Sequence, residues 1–163
     1  MGTRVRGHRA AEGCMSRTAK PARVRYYIDA DVLGLAKILV TIRGDVTYPG
    51  DPGGPVKGGR VRPPCTVSTP GADDRVWIPE TARQGWLAIT RDSAIQDNRA
   101  EIEAVRVSGA RLIALAGRDA KDTFHQLEVL MSNWRRIEEK LAEDGPFIYN
   151  ASRTGALKPV PLT

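Results

Sequence analysis

The chain has 163 residues, of which 41% are hydrophobic, 27% charged and 6% aromatic. That is room for one core and not comfortably for two, and the balance excludes a disordered or fibrous chain. The formal net charge is +6, and residues 1–25 account for all of it: Arg4, Arg6, Arg9, Arg17, Lys20, Arg23 and Arg25 stand against Glu12 alone. Residues 1–22 are therefore expected to be a basic, disordered leader ahead of a neutral folded part. The longest apolar run, Val32 to Ile42, is interrupted by Lys37 and is too short to cross a bilayer. No apolar stretch of the signal-peptide kind follows the basic N-terminus, so a cytoplasmic location is expected.

Val24 to Asp29 alternates and then runs apolar, the pattern of a strand. Asp31 to Arg43 carries Val32, Leu35, Ala36, Leu39 and Ile42 at helical spacing, with Gly44 where a helix ends. Asp45 to Tyr48 reads as a short strand. From Pro49 to Ala72 the pattern stops, with 6 prolines and 6 glycines in 24 residues. This stretch is expected to be a long loop and the least ordered part of the domain. Its glycines are not a nucleotide-binding loop, because no Gly-Lys-Ser/Thr occurs.

Asp73 and Asp74 open a helix ending near Gly85. Trp86 to Thr90 is a buried strand, followed by Arg91 and Asp92. Asn98 and Glu101 form a capping-box pattern leading into a helix with Ile102 and Val105 on one face, closed by Gly109. Arg111 to Leu115 is another buried strand. Asp122 to Glu143 is the longest periodic segment, with Phe124, Leu127, Met131, Trp134, Ile137 and Leu141 three and four apart. Phe147 to Ala151 reads as a last strand of the domain, taken as 23–151, and 152–163 as a tail. Trp77, Trp86 and Trp134 are expected in the core.

Two cysteines and two histidines, with no CxxC and no HExxH, leave no four-ligand zinc site and no disulfide framework. His125 lies in an amphipathic helix without a GxSxG elsewhere, so a serine triad is unsupported. The acids carry the chemistry instead. Strands alternating with helices argue a parallel sheet covered on both faces, with ligands bound beyond the carboxyl ends of its strands. Asp29 ends the first strand, Asp31 follows two residues on, and Asp92 lies just past another strand. An acid ending an apolar strand gains nothing from burial, whereas Asp31 has the ordinary role of a helix cap open to it. Several carboxylates at one sheet edge repel one another unless a cation joins them, and hard oxygen ligands select Mg²⁺ or Mn²⁺. Arg91 and Arg99 are candidates for holding a phosphate.

The segments YYIDADVLGLAKIL, DDRVWIPETARQGWLAITRDSAI and NRAEIEAVRVSGARLIAL resemble the PIN-like nucleases of prokaryotes, and among them the short branch of VapC-type toxins of toxin–antitoxin operons. The resemblance runs from about Val24 to Glu143. It implies a three-layer α/β/α sandwich around a parallel sheet, and Mg²⁺- or Mn²⁺-dependent cleavage of RNA by clustered acids. It also implies that Asp29, Asp74 and Asp92 are the catalytic acids, with Asp31 at their border. A fourth acid is absent from its usual place, and Asp97 and Glu101 are the candidates for it. The same resemblance implies a small antitoxin partner and a homodimer.

Such chemistry needs carboxylates a few ångströms apart and a basic rim, with no histidine base or covalent nucleophile. A different class shares part of the pattern. Asp29-Ala-Asp31-Val-Leu also fits the signature of haloacid-dehalogenase-type phosphatases, in which Asp29 would be a nucleophile, but the later lysine and acid pair of that class are not in order here. A non-catalytic PIN-like binding module is the third reading.

Overall fold

The computed structural model describes residues 18–92 and 97–163, with only the backbone of Asp92. A six-stranded sheet forms the middle layer. Its strands are β2 (Tyr26–Ile28), β3 (Val46–Thr47), β6 (Leu87–Asp92), β7 (Arg111–Ala116), β8 (Phe147–Ala151) and β9 (Leu157–Pro159), in the order β3-β2-β6-β7-β8-β9. The first five run parallel and β9 pairs antiparallel with β8. Four helices cover it: α1 (Leu33–Ile42), α2 (Asp74–Gln84), α3 (Arg99–Ser108) and α4 (Thr123–Glu139). The expected three-layer α/β/α sandwich is the observed architecture.

The period of two along each strand decides which helices pack where. Tyr26, Ile28, Leu87, Ile89, Ile113 and Leu115 share one core with Leu35 and Leu39 of α1 and Val129, Leu130 and Ile137 of α4. Tyr27, Ala88, Leu112, Ala114 and Ile148 share the other with Trp77 and Ile78 of α2 and Ile102 and Val105 of α3. Gly85 and Gly109 end α2 and α3 at φ 71° and 75°, the left-handed cap that a residue without a Cβ adopts at least cost.

The last crossover differs in hand from the others. The chain steps one way along the sheet through α1, over the first face, and the other way through α2 and α3, over the second. These steps share one hand. The step from β7 to β8 continues in the α3 direction, yet α4 lies on the α1 face, so its hand is opposite. The second face at β8 is left to the C-terminal residues, where Val160 is buried and Leu162 packs against the same core. Residues 152–163, expected as a tail, thus contribute a sixth strand and part of a core.

The stretch from Pro49 to Ala72 is not the structureless loop that its composition suggests. It carries a hairpin of β4 (Gly54–Val56) and β5 (Arg60–Arg62), and β1 (Lys20–Pro21), at the end of the expected leader, pairs parallel with β5. A buried ion pair holds it down: Arg62 Nε and Nη2 donate to Asp51 at 2.8 and 3.1 Å, and Thr47 Oγ1 and the Gly53 amide donate to the same carboxylate. Cys65 and Val67 close it against the second core.

Chain direction then sorts function from support. The amino edge of the sheet carries Asp45 between Arg25 and Arg43, at 2.7 and 2.9 Å. Burial alone would raise the Asp45 carboxyl, but hydrogen bonds from the two guanidinium groups outweigh it and hold the carboxyl below the usual range. The carboxyl edge carries Asp29 after β2 and Thr90 near the end of β6. The strand order reverses between these two neighbours, which is where a doubly wound sheet opens a crevice.

Candidate active site

Asp29 is the centre of the carboxyl edge and is only 8% exposed. Its Oδ1 accepts from the Ala30 amide at 2.6 Å, which caps the 3₁₀ turn Ala30–Val32. Its Oδ2 accepts from Thr90 Oγ1 on the neighbouring strand at 3.0 Å. The capping role that Asp31 had open to it therefore belongs to Asp29, and Asp31 itself is exposed within the turn. Burial pushes the Asp29 carboxyl up to about 6; the hydrogen bonds from Thr90 and Ala30 pull it down, while the charges of Asp31 and Asp74 push it further up. A carboxylate here is poorly solvated and faces two others, so its ionised form is unstable until positive charge arrives.

Asp74 reaches the same place from the opposite layer. Asp73 is the N-cap of α2, its carboxylate accepting from the Arg75 amide at 2.8 Å, and this leaves Asp74 free for the first turn. Trp77, one turn on, donates its indole N–H to Asp74 Oδ1 at 2.9 Å. Trp77 is core, as expected, but it also fixes the direction of an acid. Its ring stacks on Tyr27 at 5.3 Å, and Trp86 stacks on Tyr27 at 6.0 Å. The Tyr27 hydroxyl is buried without a hydrogen-bond partner among the described residues. Burial first, and then the charges of Asp29, Cys65 and Asp74, push its phenol well above the usual range, so it stays neutral beneath the acids.

The remaining candidates divide. Asp92 is the last residue of β6 and pairs in register with Ala116 of β7, but its side chain lies outside the described residues. Asp97 is exposed ahead of α3. Glu101 is buried and engaged at the start of α3: its amide donates to Asn98 Oδ1 at 3.2 Å, and its Oε2 accepts from Asn98 Nδ2 at 3.0 Å. The capping pattern read from the sequence is thus present. Arg91 lies in β6, half-buried, and Arg99 lines a cavity of about 720 Å³ between α3 and the C-terminal Leu162 and Thr163. Among the described residues no three histidine, cysteine or acidic groups stand close enough to hold a metal ion; Asp31 and Asp74 act on Asp29 through charge.

Trp77 and Tyr27, which read in the sequence as core, and Thr90, which reads as the end of a strand, are the positioning residues of the site. The spacing of Asp74 and Trp77, three apart at the start of a helix, was the available signal. Chemically, the cluster offers only oxygen donors, the set that hard divalent cations take.

No curated protein and no solved structure matches the chain. A family model described as PIN like domain does match, over residues 57–117. That span runs from the hairpin through β7 and contains Asp74, Thr90 and Asp92, while Asp29 and Asp31 precede it. Nuclease-type, metal-dependent hydrolysis is the usual activity of such domains, and the α/β/α layering of this chain is consistent with the match.

Proposed function

We propose that this protein is a divalent-metal-dependent ribonuclease of the PIN-like type and the toxin of a toxin–antitoxin pair. The observation that carries the reading is the buried Asp29 carboxyl at the strand-order reversal, pushed up to about 6 by burial and loaded further by Asp31 and Asp74. Catalytic roles fall to Asp29, Asp74 and Asp92, and the same three with Asp31 and Asp97 are the candidate ligands. The donor type, all carboxylate, is the one that Mg²⁺ or Mn²⁺ takes, and without a cation the charges of Asp31 and Asp74 weigh on Asp29.

Bound there, such a cation supplies activation of water and neutralisation of developing charge at the phosphodiester. The chain's own residues do the positioning. Thr90 and the Ala30 amide hold the two oxygens of Asp29 in place, and Trp77 aims Asp74. Tyr27, buried and stacked between Trp77 and Trp86, forms an apolar floor under the acids, and low polarity there strengthens charge interactions. Arg91 and Arg99 are assigned to the substrate phosphates. The cellular partners of this reading are an RNA, a small antitoxin and a second copy of the chain, in the cytoplasm.

The test is a substrate-class assay with purified protein. Short RNA and p-nitrophenyl phosphate are each incubated with Mg²⁺, with Mn²⁺ and with chelator. Metal-dependent cleavage of RNA alone supports the reading. Release of phosphate from the monoester would replace it with the phosphatase chemistry, and inertness toward both would leave a binding module.

A further inference from the structure

The same sheet edge continues past the acids into a second feature. Beyond the ends of β7 and β8 lies a cavity of about 650 Å³, walled by Arg118, Lys121, Arg153, Lys158 and His125 among others. All four long cations are exposed, and among the described residues none of them pairs with a carboxylate. Asp119 is the one acid in the wall, and its Oδ2 is engaged by the Arg153 amide at 3.0 Å. The opposite-hand crossover makes this place, since it brings the first turn of α4 over the α1 face while the β8–β9 turn supplies Arg153 and β9 supplies Lys158.

Phe124 is the second and independent observation. It stands beside His125 in that first turn, 74% exposed, with the two rings at 5.8 Å and perpendicular. Among the described residues the ring belongs to neither core cluster, so its face is open to a ligand. Cations without carboxylate partners around a concavity, with an exposed aromatic ring against His125 of its wall, are the combination that holds a single strand, the cations taking phosphates and the ring taking a base.

We infer that the Arg118–Lys121–Arg153–Lys158 cavity and Phe124 form a single-stranded nucleic-acid subsite that holds the strand to one side of the cleavage position. The inference rests on the nuclease reading for the class of ligand. Asp92, at the end of β6, pairs in register with Ala116, which lines this cavity. Since adjacent strands lie about 4.8 Å apart, β7 is about 10 Å from β2 and its Asp29. One strand of RNA spans both places. The subsite binds backbone and stacks a base without reading its edge, so it sets affinity and polarity of the bound strand rather than sequence.

The test is binding of a fluorescein-labelled 12-nucleotide single-stranded RNA to the full chain by anisotropy, in chelator so that no cleavage occurs, at several salt concentrations. Arg118→Ala/Lys158→Ala is expected to weaken binding at least tenfold and to lower the salt slope by about 1.4, two contacts at about 0.7 each. Phe124→Ala is expected to weaken it about tenfold with the slope unchanged, the behaviour of lost stacking. Both sites are exposed, and circular dichroism checks that the variants are folded. Wild-type affinity and slope in the double variant would overturn the subsite, as would unaltered binding by Phe124→Ala. Asp29→Asn separates the two readings: loss of cleavage there with intact binding by the double variant would overturn the subsite alone. Continued cleavage by Asp29→Asn with weakened binding by the double variant would support the subsite and overturn the assignment of the acids.

Discussion

Thr90 and Asp29 are 61 residues apart in sequence and 3.0 Å apart in the structure, hydroxyl to carboxylate, across the one ladder where the sheet changes direction. The hydroxyl donates to an oxygen that burial has made hard to ionise, and so it is the group that keeps Asp29 within reach of physiological pH. Removing it should raise the Asp29 carboxyl further. Thr90→Val is expected to move the Asp29 titration, followed by carboxyl NMR, upward and to cost about 1–3 kcal/mol when the carboxylate is charged. Thr90→Ser should restore the wild-type titration. An unmoved titration in the valine variant would show that the hydroxyl is incidental.

The pH dependence of stability follows from the same group. Folded Asp29 holds its proton to about pH 6, whereas the unfolded chain releases it near 3.8. Between these values the unfolded state binds fewer protons, so stability falls as pH rises from about 4 to 6 and is flat above. The loss amounts to about 3 kcal/mol. Urea unfolding in chelator should show it, and Asp29→Asn should remove it and leave the variant more stable than wild type at pH 7. Parallel pH profiles for the two proteins would contradict the assignment.

The hairpin depends on charge rather than on apolar area. Asp51 is fully buried in its side chain and Arg62 nearly so. Asp51→Ala leaves an uncompensated guanidinium and should cost about 3–5 kcal/mol. Asp51→Asn/Arg62→Met, which removes both charges, should cost clearly less. Thermal unfolding of the two variants decides the matter, and equal losses would mean that the pair is not what holds β4 and β5 down.

The sequence made the layers legible because each was written locally. Tyr26–Ile28, Leu87–Ile89 and Leu112–Leu115 alternate between two cores, and Asn98 and Gly109 bracket α3 at the residues expected. What stayed hidden was non-local. A pattern of prolines and glycines says nothing of an ion pair between Asp51 and Arg62, and that pair turns an apparent loop into a hairpin. Residues 157–159 are too few to show a period, and their strand exists because β8 offers an edge. The hand of the last crossover is likewise invisible in α4, whose apolar stripe would fit either face. At the site, Asp29 was legible as an acid that had no reason to be at the end of an apolar strand. Its hydroxyl partner was not, because threonine is an ordinary strand residue.

Metal should report on the acids independently of catalysis. If Asp29, Asp31 and Asp74 repel one another as their charges indicate, Mn²⁺ should raise the melting temperature in a concentration-dependent way, and Asp74→Asn should weaken that dependence. Because Trp77 donates to Asp74, Trp77→Phe should weaken it too, by loss of direction rather than of charge. A melting temperature indifferent to Mn²⁺ in the wild type would leave these acids without a cation to share.

The most direct measurement is the rate of RNA cleavage by Asp29→Asn beside the wild type, in Mg²⁺ and in Mn²⁺, with both proteins shown to be folded. The substitution keeps the shape of the side chain and removes the charge; with its oxygen on the Ala30 amide, the new NH2 donates to Thr90 Oγ1 where the carboxylate accepted from it. The account predicts cleavage by the wild type with either or both metals and none above the chelator background by the variant. Cleavage by Asp29→Asn at the wild-type rate would contradict it.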